Sequence, residues 1–186
     1  MYKSCIKRCL DFLLSLCAII ILSPVLLVLC ILVRTKLGSP VFFHQERPGR
    51  NEKIFTLCKF RTMTDARDAN GELLPDSVRL TKFGKFLRAT SLDELPELFN
   101  ILKGDMSIIG PRPLPTYEQA ACNEYQQQRL LVKPGLSCYT ALDKKSEEDF
   151  DYWIELDMKY IRERSFLTDI KIIFRTIGVV FKHNNY

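Results

Sequence analysis

Histidine is nearly missing from this chain, with two residues in 186, and the seven cysteines form no Cys-x-x-Cys pair. A zinc site needs ligands at such spacings, so none is expected. The odd cysteine count also excludes a disulfide framework, with Cys5, Cys9, Cys17 and Cys30 in or beside one apolar stretch and Cys58, Cys122 and Cys138 scattered beyond it. The thiols read instead as small, mostly buried hydrophobes of a reducing compartment. Internal repeats, low-complexity tracts and aromatic clusters among the basic residues are lacking too. The 27 Lys and Arg are interleaved with 22 Asp and Glu, for a net charge of +5. That mixture excludes the concentrated basic stripe of a nucleic-acid binder and points to anionic lipid headgroups or phosphorylated ligands.

Charge itself is absent from Phe12 to Val33. As a straight helix at ~1.5 Å per residue this run reaches about 33 Å, matching a hydrocarbon core of roughly 30 Å. Lys3, Lys7, Arg8 and Asp11 flank it on one side, Arg34 and Lys36 on the other. The run exceeds the apolar part of a signal peptide, and no small-x-small cleavage site precedes Arg34, so it is expected to remain as an anchor. Ser23-Pro24 falls at its middle. Pro24 has no N–H to donate to the Ile20 carbonyl and its ring crowds that carbonyl, which predicts a kink. Local pattern favours a kinked spanning helix over a re-entrant hairpin. The charge pattern points the other way, because basic residues at both ends are expected when both ends sit on the cytoplasmic face. About 150 residues remain, enough to bury a core as one folded domain.

Within that remainder, Val41 to Phe43 and Ile54 to Phe60 read as strands of a small β-hairpin around the turn-rich Arg47-Pro48-Gly49-Arg50-Asn51. Asp65 to Asp76 reads as a long loop. A short helix over Thr81 to Arg88 would carry Lys82, Lys85 and Arg88 on one face beside Phe83, Phe86 and Leu87, suiting either a headgroup layer or ordinary solvent. Leu92, Leu95, Leu98, Phe99 and Leu102 recur at helical spacing and predict a helix over 92–103 that stops at Gly104. Gly110-Pro111-Arg112-Pro113 is a stiff loop. Helices are expected near 116–130 and 148–162, with a turn at Lys133-Pro134-Gly135 between them. Phe166, Ile170, Ile173, Phe174, Ile177 and Phe181 line one face of a C-terminal helix that also bears Lys171, Arg175 and Lys182. That face is expected on the domain core, with the bilayer surface as the alternative.

The chemistry-bearing candidates centre on Asp93 and Glu94. Ser91-Leu92-Asp93-Glu94 fits a capping box. The same carboxylates at the positive end of a helix would stay ionised and could bind Mg²⁺ or attack phosphorus. Local pattern does not separate these readings. Lys59 and Arg61 in Lys59-Phe60-Arg61-Thr62-Met63, Arg88, and Arg112 in the proline-held loop are cations suited to phosphate.

Taken in order, the basic N-terminus, the Ser23-Pro24 break, Lys59-Phe60-Arg61-Thr62-Met63, Ser91-Leu92-Asp93-Glu94-Leu95-Pro96-Glu97-Leu98-Phe99-Asn100 and Leu102-Lys103-Gly104-Asp105-Met106-Ser107-Ile108-Ile109-Gly110-Pro111-Arg112-Pro113 resemble the bacterial sugar transferases, the monotopic polyprenyl-phosphate phosphoglycosyl transferases. The likeness covers nearly the whole chain at the size of the minimal single-domain members. It implies an α+β, mostly helical fold. Residues 1–36 would form a membrane-embedded re-entrant helix broken at Ser23-Pro24, and residues 37–186 a catalytic domain with interfacial helices on the cytoplasmic face of the bacterial inner membrane. It further implies a Mg²⁺-dependent enzyme that takes a sugar phosphate from a UDP-sugar, releases UMP, and places it on undecaprenyl phosphate. Asp93 would be the nucleophile and Glu94 would assist with metal and proton handling. Lys59, Arg88 and Arg112 would bind phosphates, with Asp157 and Asp169 as further family acids, and Arg61 stands beside them as a phosphate candidate on its residue type alone. One segment departs from the pattern. Where many members carry Gly, Trp, Gln and a later Arg at the nucleotide end of the donor, this chain reads Gly135 to Lys145, so Lys145, a point charge without a fork, stands where that Arg is expected.

Overall fold

The computed structural model describes residues 2–183. The side chains of Lys3, Phe181 and Lys182 lie outside the described residues. Helix α1, Lys7–Leu37, runs through Pro24 without interruption. The Ile20 carbonyl, which loses its usual donor to the proline, accepts instead from the Ser23 hydroxyl at 2.8 Å. The Ser-Pro pair thus satisfies its own broken rung, a requirement where no water can do so.

One stripe of α1 packs on the polar domain along its length. Ala18, Ile19 and Leu22 meet Phe55, Leu57, Leu98, Ile101 and Met106. Leu29, Val33 and Leu37 join Phe60 and Leu87 in a second cluster. Fully burying a side chain of this kind contributes ~1.5–3 kcal/mol. The opposite stripe, including Leu13, Ile20, Ile21, Leu27, Val28 and Ile31, stays exposed. A helix apolar all round, with only one stripe covered, needs an apolar solvent for the rest.

The N-terminal end of α1 is clasped by polar bonds. Arg8 donates to the Ile101 and Leu102 carbonyls at 2.7 and 2.8 Å, meeting the free end of α4 (Glu97–Lys103) with a cation where the helix dipole is negative. Asp11 accepts from Ser107 Oγ at 2.7 Å and the Ile108 N–H at 3.1 Å.

The β-hairpin forms as antiparallel β1 (Phe42–Pro48) and β2 (Ile54–Phe60). β1 is longer than expected, because Arg47 and Pro48 pair with Phe55 and Ile54 rather than turning. The turn itself falls at Gly49 to Lys53, with Asn51 left-handed. Helix α2 is the single turn Asp76–Arg79, and α3 is Lys82–Ala89, capped by Thr81 Oγ1 accepting from the Gly84 N–H. Leu87 packs inward from α3, while Phe86 and the three cations face out.

Three expected features change. The helix over 92–103 is a 3₁₀ turn at Leu92–Glu94 followed by α4, divided at Pro96, which cannot donate to a continuing ladder. The helix near 116–130 is divided into α5 (Thr116–Ala120), α6 (Glu124–Gln127) and a 3₁₀ turn, because Asn123 and Gln126 close a capping box that restarts the chain. Gly135 does not end a turn but opens β4 (Gly135–Ser137), parallel to β3 (Ser107–Ile109). A Cβ on Gly135 would collide with Gly110, so both glycines are required for the close approach that frames the Pro111-Arg112 loop.

Helices α7 (Phe150–Glu163) and α8 (Phe166–His183) close the domain. Tyr160 and Ile172 seal against Ile109. The expected inner stripe of α8 is largely its outer one, since Phe166, Phe174 and Ile177 are exposed and the neighbouring Ile172 makes the core contact.

Candidate active site

Asp93 and Glu94 project from the 3₁₀ turn. Ser91, in the left-handed region at φ 54°, makes no capping bond, so capping does not account for these acids. Asp93 is only 9% exposed, and among the described residues its carboxylate accepts from no other side chain. Burial, reinforced by the neighbouring Glu94 charge, pushes its pKa up to about 6, against the opposing pull of Lys59 and Arg88. The group is therefore mostly ionised at neutral pH, with its lone pairs uncommitted to a partner cation.

Glu94 Oε1 is gripped from two sides, by Lys59 Nζ from β2 at 2.7 Å and by Arg112 from the proline-held loop. Burial resists its ionisation, but Arg112 and Lys59 outweigh that and hold its pKa below the usual range. Both bonds go to Oε1, leaving Oε2 as the oxygen that could face a metal. Arg112 keeps 41% of its side-chain surface open despite dense surroundings, and so can reach a ligand. Lys59 also lies 3.1 Å from Glu97, on the first turn of α4. Burial, with Glu94 adding to it, lifts Glu97 to about 7.

Lys59 is placed by Asn100, whose amide donates to the Thr56 carbonyl at 2.7 Å and whose Oδ1 accepts from the Cys58 N–H at 3.1 Å, locking β2 onto α4. Glu97 and Asn100 were not among the sequence candidates. Their signal was present, since Glu97 lies four residues after Asp93.

The structure brings Asp93, Glu94, Lys59 and Arg112 together, with Arg88 near enough to act on Asp93. Arg88 Nε donates to Thr62 Oγ1 at 3.1 Å, and the residue remains exposed. The other candidates are engaged with other partners. Arg61 spends its guanidinium on the Met63 and Ser39 carbonyls and Asp65, each at 2.6 Å, leaving no free fork for phosphate. Asp157 is buried in an ion pair with Arg129 at 2.6 Å, and Arg129 also donates to the Arg112 carbonyl at 2.6 Å. Asp157 thus supports the loop from behind. Asp169 is buried and accepts from Tyr2, Lys7 and Tyr160, tying the start of the chain to α7 and α8. Lys145 is exposed, with its ammonium 4.8 Å from the Tyr152 ring centroid.

A Mg²⁺ ion fits this donor set. Among the described residues no cluster of three acids exists to cage one. Mg²⁺ is commonly held by one or two carboxylates plus substrate phosphates, and Asp93 with Glu94 supplies that pair.

An uncommitted carboxylate flanked by anchored cations is an arrangement suited to a phosphate-bearing ligand. The family model for bacterial sugar transferases matches residues 2–183, and the chain belongs to that family. An uncharacterised sugar transferase of Bacillus subtilis is 45% identical, with 94% of this chain aligned to 87% of the relative. The UDP-glucose:undecaprenyl-phosphate glucose-1-phosphate transferase of Klebsiella pneumoniae is 39% identical over 92% of this chain and 39% of its own length. The UDP-N-acetylgalactosamine-undecaprenyl-phosphate N-acetylgalactosaminephosphotransferase of Aeromonas hydrophila is 36% identical over 94% of this chain and 43% of its own. The chain spans less than half the length of these last two relatives.

Proposed function

We propose that this chain moves a sugar-1-phosphate from a UDP-sugar to undecaprenyl phosphate through a covalent intermediate on Asp93, releasing UMP. The observation that carries this is the Asp93 carboxylate itself, buried yet unbonded to any cation among the described residues, beside the Lys59–Glu94–Arg112 bridge. An Asp93 oxygen attacks the sugar-bearing phosphorus, and the bond from that phosphorus to the bridging oxygen breaks so that UMP leaves. An oxygen of the lipid phosphate then attacks the same phosphorus, and the bond to Asp93 breaks to restore the carboxylate. Two displacements replace one difficult transfer between anions. Lys59 and Arg112, oriented by Glu94, offset charge on the phosphate oxygens. Glu97, lifted to about 7, lies 3.1 Å from Lys59, and its charge sets how far that ammonium is already offset when a phosphate arrives. Asp93 and Glu94 would hold a Mg²⁺ ion, which when bound would supply further neutralisation of phosphate charge.

The membrane helix is read as re-entrant. Its inner stripe contacts the domain from Arg8 to Leu37, and a straight span would carry that domain through both leaflets. Lys7 and Arg8 at one end and Arg34 and Lys36 at the other suit one cytoplasmic face. The exposed apolar residues of α3 and α8 would then rest on the bilayer surface beside their cations.

The reaction is tested with detergent-solubilised protein, Mg²⁺, undecaprenyl phosphate and a panel of UDP-sugars, scored by UMP release. Asp93→Asn is expected to abolish release. Unimpaired release by that variant removes Asp93 as the nucleophile, and no release from wild type with any donor removes the reaction. Topology is tested by cysteine labelling at positions 4 and 39 after replacing the native thiols, where access from opposite sides rules out re-entry.

A further inference from the structure

A cavity of about 190 Å³ lies beside the Glu94 bridge and shares Lys59 and Arg112 with it. At ~30 Å³ of liquid volume per water this is room for about six waters, more than one phosphate group fills. Its remaining wall changes character, with Leu57, Leu114 and Trp153 forming an apolar and aromatic side and Arg47 entering from β1. Glu97 and Glu118 also border it.

Arg47 is the unusual member. It donates to the Pro113 carbonyl at 3.0 Å and to Gln45 Oε1 at 2.6 Å, yet among the described residues it has no carboxylate partner. Its Nε is buried and without an acceptor. Burial and the nearby Arg112 charge both lower its proton affinity, as expected for a cation short of an anionic or acceptor partner. Trp153 is the only tryptophan of the chain. Its Nε1 is also buried; it approaches Asp157 closely enough to favour that carboxylate's charged form but falls short of hydrogen-bond geometry. A charged cleft with one apolar and aromatic wall, faced by a guanidinium with an unmet Nε donor, is the form of a site for a planar, acceptor-bearing ring that also carries phosphate.

Resting on the proposed reaction, we infer that this cavity takes the pyrimidine nucleoside of the donor, held by Arg47 and Trp153, while Lys59 and Arg112 meet its phosphates. Of the segment 135–145 that the family pattern associates with the nucleotide, only Gly135 borders the cavity, and Lys145 does not. Nucleotide recognition is thereby carried by β1 and α7 in this chain.

Because Trp153 is the sole tryptophan, its fluorescence reports occupancy without turnover. In full-length Asp93→Asn protein in detergent, UMP is expected to change the emission saturably, and adding Arg47→Gln is expected to weaken the midpoint about tenfold. Inorganic phosphate and a sugar 1-phosphate are expected to leave the emission nearly unchanged. Arg47 also braces the 110–115 loop, so Trp153→Leu is read separately by steady-state kinetics. It is expected to raise KM for the UDP-sugar about tenfold and leave KM for undecaprenyl phosphate in place. Emission indifferent to UMP, while wild type still releases UMP, overturns the nucleoside site and spares the reaction. An equal response to inorganic phosphate or to the sugar phosphate, or an equal rise in both KM values, also overturns it. UMP binding by a protein that turns over no donor sinks the reaction and leaves the cavity as a nucleotide site.

Discussion

Two groups of acids and bases, each drawn together from separate elements of the domain, differ in how their charges are matched. Arg129 and Asp157 face one another with side chains 2% and 1% exposed. Lys59, Glu94 and Arg112 share one carboxylate oxygen between two cations, with Arg112 still 41% open and Asp93 alongside unpaired. A sealed, matched pair holds a loop in place. An open group whose Arg112 still reaches solvent keeps donors free for a further anion, as the proposed phosphate substrate requires.

The largest expected effect lies on the open side. Asp93→Asn should lower UMP release by three orders of magnitude or more, on the order of what loss of a covalent nucleophile costs. Retained release would erase the distinction between the two groups.

The sealed side should show its effect in stability. Arg129→Ala leaves Asp157 buried without its partner and is expected to cost about 3–5 kcal/mol, read as a lowered thermal midpoint. The Arg129 bond to the Arg112 carbonyl is lost with it.

A third test sets activity against stability at one residue. Asp93 titrates at about 6 in the folded chain rather than at 3.8. The folded state therefore holds that proton more tightly, and its contribution to stability is full below about 3.8 and lost as pH rises through about 6. Activity should move oppositely, with kcat/KM rising between pH 5 and 7 as the carboxylate forms. Asp93→Asn should be the more stable protein at pH 8 by up to about 3 kcal/mol, with the gap closing near pH 4. A flat difference between the two melting curves across that range would show that Asp93 is not desolvated as described.

The smallest effect belongs to the outer stripe of α1. Ile21→Ala is expected to change stability in detergent by less than about 0.5 kcal/mol, whereas Val33→Ala, at 0% exposure, opens a cavity and costs about 2 kcal/mol.

Periodicity and turn chemistry made the local elements legible. The charge-free run, both strands of the β-hairpin, the helix after Thr81 and the stop at Gly104 all appear, because each is decided by residues close in sequence. What escaped was decided at a distance. The parallel pairing of Ser107–Ile109 with Gly135–Ser137 depends on two glycines 25 positions apart approaching one another. Pro96 and Asn123 carried local signals that the broader helical pattern obscured. In the site, Asp93, Glu94, Lys59 and Arg112 could be chosen by type and motif. Arg61, Asp157 and Asp169 matched by the same criteria, and only their bonding partners separate them from the open group. Arg129 gave no sign, since nothing in its neighbourhood marks it as the partner of an acid 28 residues on.

The clasp of Arg8 on the last carbonyls of α4 carries one further consequence. The opposite end of that short helix begins at Glu97, four residues beyond Asp93, so the apolar anchor and the Asp93 carboxylate are tied through one short helix. On the proposed re-entrant reading, the depth to which α1 enters its leaflet would set the height of Asp93 above the lipid chains, and leaflet composition would govern how readily a lipid phosphate comes into line with it.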